Sequence, residues 1–183
     1  MKIFWVVTRS YLRLRGVEVG SAVRCNGFPV IKIRKGARLI LEDGVQINAH
    51  PRWNAHVIAG STTLFVAEGA VLRIGARSGF SGARIVAMES IVIGEDCMIG
   101  GGCLICDSDM HEVPLGSPRP ARKKPITIGN GVFLGAHSII LKGVSIGDGA
   151  VVGAGAVVTK LVEAGRLATG NPAKILDLPS GNR

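Results

Sequence analysis

From Ile128 onward an aliphatic residue returns at every sixth position: Ile128, Leu134, Ile140, Ile146, Val152 and Val158. Four places after each of the first five stands a small or aliphatic residue, Val132, Ser138, Val144, Ala150 and Ala156, and Gly follows the leading residue at 129, 135, 147 and 153. A period of six fits neither a helix nor a half-buried strand, so the chain is built of repeats. Short strands forming the sides of a three-sided coil explain the spacing. The leading aliphatics stack in ladders inside a narrow prism, and the second inward residue must be small because it lies near a corner. Asn130-Gly131 and Asp148-Gly149 supply the positive-φ backbone that corners need. Ladders of Val and Ile leave little room for rings, and the chain is 47% hydrophobic but only 4% aromatic.

Ile93, Ile99 and Ile105 keep the same step, with Cys97 and Cys103 at the small position, and then the count breaks. Ile105 and Ile128 are separated by 23 positions, 17 more than one step, and His111 falls where the next aliphatic was due. Upstream, "GARLILEDGVQI" and "GAVLRIGARSGF" echo each other at an offset of 33. The pattern predicts one continuous all-β solenoid over residues 30–160, irregular before residue 90, with an inserted loop at 107–124. Because a solenoid's ends need covers, residues 1–29 are read as an N-terminal cap. Residues 161–183 are read as a C-terminal cap containing a short helix.

The net charge is +9, with basic residues at both ends and in the loop tail (Arg119, Arg122, Lys123, Lys124). Interleaved aromatics for base stacking are missing, which argues against nucleic acid. An anionic small molecule, an anionic glycan or a membrane surface fits better. The cysteines sit at or beside repeat positions, so "CLIC" reads as packing rather than a redox or metal pair. Free thiols without a cleavable signal peptide point to the cytoplasm. The apolar run of "MKIFWVVTRSYLRLRG" is too short to span a bilayer. As a helix it puts Phe4, Val7, Tyr11 and Leu14 on one stripe, for capping the first coil or for lying on the inner membrane's surface. Capping is preferred because every solenoid end must be covered.

The run from "IVIGEDCMIG" through "SDMH" to "ITIGNGVFLGAHSIILKGVSIGDGAVVGAGAVVTK" and "GNPAKI" resembles the hexapeptide-repeat acyltransferases, whose fold is a left-handed parallel β-helix. "WNAHVIAG", "GFSG" and the D-x-D-x-H form of the loop resemble the branch that O-acetylates capsular, colanic acid and lipopolysaccharide sugars. The resemblance implies acetyl-coenzyme A as donor, a sugar or polysaccharide precursor as acceptor, a homotrimer, and no metal. It places Asn54, His56 and Ser81 toward the acceptor. Backbone groups of Ala136 and Ala154, with Thr159, would border the pantetheine arm, and Lys160 and Lys174 would meet phosphates.

Acetyl transfer from a thioester to a hydroxyl needs a base near neutral pH, and histidine suits it. His111 stands where the family's catalytic histidine leaves the coil. Asp107, Asp109 or Glu112 would orient its ring, with Asp109 the preferred choice, and the Ala136 amide would face the thioester oxyanion. His137, in a regular coil, reads as structure or cofactor contact. The alternatives are an N-acetyltransferase of an amino-sugar nucleotide and a non-enzymatic solenoid used for assembly.

Overall fold

The computed structural model describes residues 2–50 and 61–178, with side chains from Trp5 onward. Three parallel sheets form the faces of a prism. The first face holds Glu18–Val19, Arg38–Leu41, Val71–Ile74, Ser90–Ile93, Ile126–Ile128 and Ser145–Ile146. The second holds Arg24–Asn26, Gln46–Asn48, Gly79–Ser81, Met98–Ile99, Phe133–Leu134, Val151–Val152 and Arg166–Thr169, and the third Val30–Ile33, Thr63–Val66, Arg84–Ala87, Leu104–Cys106, Ile139–Ile140 and Val157–Val158. The fold is a left-handed parallel β-helix.

The register explains both rhythms in the sequence. Thr127 pairs with Ser145 and Phe133 with Val151, one coil of three six-residue sides. Arg38 pairs with Val71 and Ile47 with Phe80, so the offset of 33 is one enlarged coil. That coil is enlarged because the chain leaves the second face after Asn48 and rejoins the third at Thr63. The feet of this excursion are tied by the Thr62 N–H to the Ala49 carbonyl, 3.3 Å, and the Thr62 hydroxyl to the Asn48 carbonyl, 3.1 Å.

Inside the prism, Leu41, Ile74, Ile93, Ile128 and Ile146 stack under the first face. Ile31, Leu64, Ile85, Ile105, Ile140 and Val158 stack under the third, and all of these are buried. Each such side chain contributes about 1.5–3 kcal/mol on burial. Phe80 is the one ring buried in the core among the described residues. The four cysteines are free and buried, as packing residues should be.

Both ends differ in detail from the sequence reading. Strands Glu18–Val19 and Arg24–Asn26 already belong to the sheets, so coiling begins before residue 30. Helix α1, Lys2–Leu14, covers the open end with Thr8 and Leu12 fully buried. The Tyr11 hydroxyl donates to the Pro29 carbonyl at 3.0 Å, and Tyr11 stands edge-to-face with Phe28. The expected stripe is therefore split: Tyr11 packs on the coil, Val7 and Leu14 are exposed, and the side chain of Phe4 lies outside the described residues. At the other end the cap is a hairpin, not a helix. Arg166–Thr169 continues the second face, and Lys174–Asp177 pairs back antiparallel to it. Ala168, fully buried, completes the second-face ladder, and Gly170-Asn171-Pro172 makes a turn that no helix could contain.

Candidate active site

The loop that interrupts the count is anchored at its root. After Leu104–Cys106 the chain leaves the corner between the third and first faces. Asp107, fully buried there, accepts the backbone N–H groups of Met88 at 2.6 Å, Glu89 at 2.9 Å and Ser90 at 2.8 Å. Its carboxylate thus satisfies the turn of the preceding coil and is not available to a histidine. The Asp109 N–H donates to the Arg122 carbonyl at 3.0 Å, and the Lys124 N–H to the Asp107 carbonyl at 2.9 Å, which closes the loop's two ends on each other.

Met110 then takes φ 63°, a left-handed conformation that costs a side-chain-bearing residue about 1–2 kcal/mol. His111 follows it, exposed. Among the described residues no group hydrogen-bonds its ring. Asp109 is instead paired with Lys142 of the next coil, both half-buried. Glu112 accepts the Gly116 N–H at 3.3 Å. Hydrogen bonds from its own amide and that of Gly116 hold its carboxyl below the usual carboxylate range, and the charge of His111 adds to the effect. In the single chain, none of the three carboxylates expected to orient His111 does so. The loop crest presents Met110, Val113 and Leu115 to solvent, Leu115 82% exposed.

Lys142 escaped the reading of the sequence, although a signal was there. Lys124, Lys142 and Lys160 return at eighteen-residue steps, one regular coil apart. Thr159 and Lys160, both exposed, follow Val157–Val158 at this same third-to-first corner.

The other half of the expected site stands on a different edge. A turn of one type recurs at the corners, with its third residue at positive φ, as at Ala22, Gly44, Arg77, Asp96, Gly131 and Gly149 on the first-to-second edge and Gly102, His137 and Gly155 on the second-to-third. At the first-to-second corner four of these turns have the amide of the second residue capped by a side chain from a neighbouring coil, while those of Asp43 and Asp148 have no partner among the described residues. Ser21 N–H donates to Asp43 at 2.7 Å, Ala76 to Glu42 at 3.1 Å, Glu95 to Asn130 at 2.9 Å, and Asn130 to Asp148 at 2.7 Å. At the second-to-third corner the same position is occupied by Gly101, Ala136 and Ala154, which have no side chain to reach across. The N–H groups of Ala136 and Ala154 have no partner among the described residues, and both residues are open to solvent. One coil apart, they form a short column of fixed, unpaired donors. His137, exposed, holds φ 58° beside Ala136, where Gly102 and Gly155 stand one coil before and after.

Ser81 lies at this same corner, half-buried, its hydroxyl accepting from Asn48 Nδ2 at 3.1 Å. It lines a groove of about 330 Å³ with Gln46, Asn48, Phe80 and Met98. Asn54 and His56 lie outside the described residues. Lys174, exposed, opens the second strand of the C-terminal hairpin opposite Thr169. Thus one prism edge carries His111, Asp109, Lys142, Thr159 and Lys160. The other carries Ser81, Ala136 and Ala154, and the whole third face separates them. Among the described residues no three His, Cys, Asp or Glu side chains are grouped as metal ligands.

A family model described as "Hexapeptide repeat of succinyl-transferase" matches residues 125–160. No curated protein sequence matches the chain significantly. Among solved structures, the polySia-specific acetyltransferase NeuO is 25% identical, with a TM-score of 0.59 over 91% of this chain and 79% of its own. A galactoside acetyltransferase in complex with coenzyme A is 23% identical, with a TM-score of 0.58 over 93% of this chain and 70% of its own. The N-acyltransferase AntD from Bacillus cereus, in complex with dTDP and coenzyme A, is 17% identical, with a TM-score of 0.66 over 94% and 89%.

Proposed function

We propose, from the premise that the chain is a member of the hexapeptide-repeat acyltransferases, that it transfers an acetyl group from acetyl-coenzyme A to a sugar hydroxyl of a surface polysaccharide or its precursor. The carrying observation is the pair of turn amides at Ala136 and Ala154, one coil apart on one edge and without a partner among the described residues, where no turn side chain reaches across as it does at Glu95 and Asn130. The Ala154 N–H is there for a pantetheine amide and the Ala136 N–H for the thioester end, without displacing any internal bond. Coenzyme A in the bound state of the galactoside acetyltransferase supports the choice of donor. The polysaccharide named for NeuO supports the choice of acceptor class.

The chemistry then assigns itself. His111 takes the proton of the acceptor hydroxyl as its oxygen attacks the thioester carbonyl. The Ala136 N–H donates to the oxyanion that develops, a fixed dipole that needs no rearrangement at the moment of reaction. Collapse of the tetrahedral intermediate expels coenzyme A thiolate, which takes the proton back from the imidazolium. Lys160 and Lys174 meet the donor's phosphates, and Ser81, with Asn54 and His56, faces the acceptor.

Because His111 and Ala136 stand on opposite edges of the third face, the working site is composed between chains. A three-fold trimer in which the 107–124 loop of one chain meets the Ala136–Ala154 edge of the next brings the halves together. It also covers Met110, Val113 and Leu115. Thioester consumption against a panel of sugars, oligosaccharides and amino-sugar nucleotides tests the reading. Turnover on hydroxyl acceptors should fall at least about a hundredfold in His111→Ala with folding intact. Mixing that variant with Ala136→Trp chains should restore some activity. Turnover unchanged in His111→Ala refutes the base, turnover only on amino sugars refutes O-transfer, and no recovery in verified mixed trimers refutes the shared site.

A further inference from the structure

The charge of this protein is concentrated at one end of the prism. Residues 1–41 contain nine Lys or Arg and a single acid, Glu18, which is a net +8 of the chain's +9. Glu18 is already paired with Arg38 at 2.8 Å. Several of these cations have local roles. Arg9 donates to the Gly20 carbonyl, Arg15 to the Ile31 carbonyl at 2.6 Å, and Arg24 lies 4.8 Å over the Trp5 ring. Arg13, Lys32 and Lys35 are exposed and have no acidic partner among the described residues.

Helix α1 presents two faces. Thr8 and Leu12 close the coil, while the opposite side exposes Val6 at 63%, Val7 at 50% and Leu14 at 87%. A helix serving only as a lid would place polar residues outward, because outward apolar side chains contribute nothing to covering the coil. Leu14 borders a cleft whose other walls are Arg15, Lys32, Ile33 and Arg34, so its apolar surface is framed by cations. The 107–124 loop also exposes Met110, Val113 and Leu115, and the trimer proposed above would cover them.

We infer that the outer face of α1 is a docking surface for an anionic lipid bilayer, with Val6, Val7 and Leu14 entering the headgroup boundary and Arg13, Lys32, Arg34 and Lys35 meeting lipid phosphates. Charge complementarity selects this occupant. A second copy of the chain would bring two +8 ends together, whereas an anionic bilayer is drawn to such an end. No helix among the described residues is long and apolar enough to cross a membrane, so the mode is attachment to the surface. The inference stands apart from the acyl-transfer reading, since it uses no residue of that site.

The test is cosedimentation of the full chain with vesicles of phosphatidylglycerol and phosphatidylethanolamine, against phosphatidylcholine vesicles. Binding to the anionic vesicles, lost at high salt, is expected. Arg13→Gln should weaken partition about fivefold. The combined Val6→Ser, Val7→Ser, Leu14→Gln variant should weaken it about tenfold or more while its thermal melt stays close to the parent's, because these side chains are half or more exposed. Absence of binding to anionic vesicles at low salt overturns the inference, as does binding that the triple variant leaves unchanged. Self-association that the triple variant abolishes, without vesicle binding, would make a second copy the occupant and overturn it too.

Discussion

Asp107→Ala should be among the most destabilising single substitutions outside the aliphatic ladders. The wild-type carboxylate is fully buried and accepts three backbone N–H groups at 2.6, 2.9 and 2.8 Å. Its removal orphans three donors at once, and each unsatisfied buried donor costs about 1–3 kcal/mol. Met88 and Ser90 are only half-buried and Glu89 is exposed, so water can reach part of this turn. That places each amide at the low end of the range and the sum at about 3–5 kcal/mol. For a chain of this length the melting temperature should drop by roughly 8–15 °C. Asp107→Asn keeps one acceptor oxygen and should lose less than half as much. Urea denaturation followed by circular dichroism measures the difference. A loss below about 1 kcal/mol for Asp107→Ala would show that the anchoring argument is wrong.

Ala136→Pro removes one N–H at the second position of a turn whose third residue has positive φ, a place where proline is well suited. Turnover should fall about 10²–10³-fold with the melt little changed, and near-normal turnover would eliminate this amide as the oxyanion donor. The buried cysteines report on stability at high pH. Burial pushes the Cys25 thiol up to about 12 and raises those of Cys97, Cys103 and Cys106. Above pH 9 the unfolded chain gives up these protons while the folded chain keeps them. Folding stability is therefore fully present below pH 9 and declines as pH rises towards 12, by at most about 1.4 kcal/mol per pH unit for each thiol. Flat stability between pH 9 and 11 would contradict this, and so would native-state labelling of these thiols by a thiol reagent at pH 8.

Sequence alone determined the interior. An aliphatic residue every sixth position can be buried only if three short sides close on each other, and the 33-residue echo between "GARLILEDGVQI" and "GAVLRIGARSGF" already stated the register that pairs Arg38 with Val71. The break at His111 was legible for the same reason, since a ladder residue is conspicuous when missing. What periodicity does not encode is the environment of groups outside the ladder. Asp107, Asp109 and Glu112 are alike as letters. Only the folded chain commits the first to three amides of the preceding coil, the second to Lys142 of the next coil and the third to Gly116 within the loop. The hairpin at the C-terminus and the split stripe of α1 were decided the same way, by which face of the last and first coils remained uncovered. The open amides at Ala136 and Ala154 needed tertiary structure most of all. Backbone donors are present at every residue, and a donor becomes a site only where stacking leaves no neighbour to accept from it.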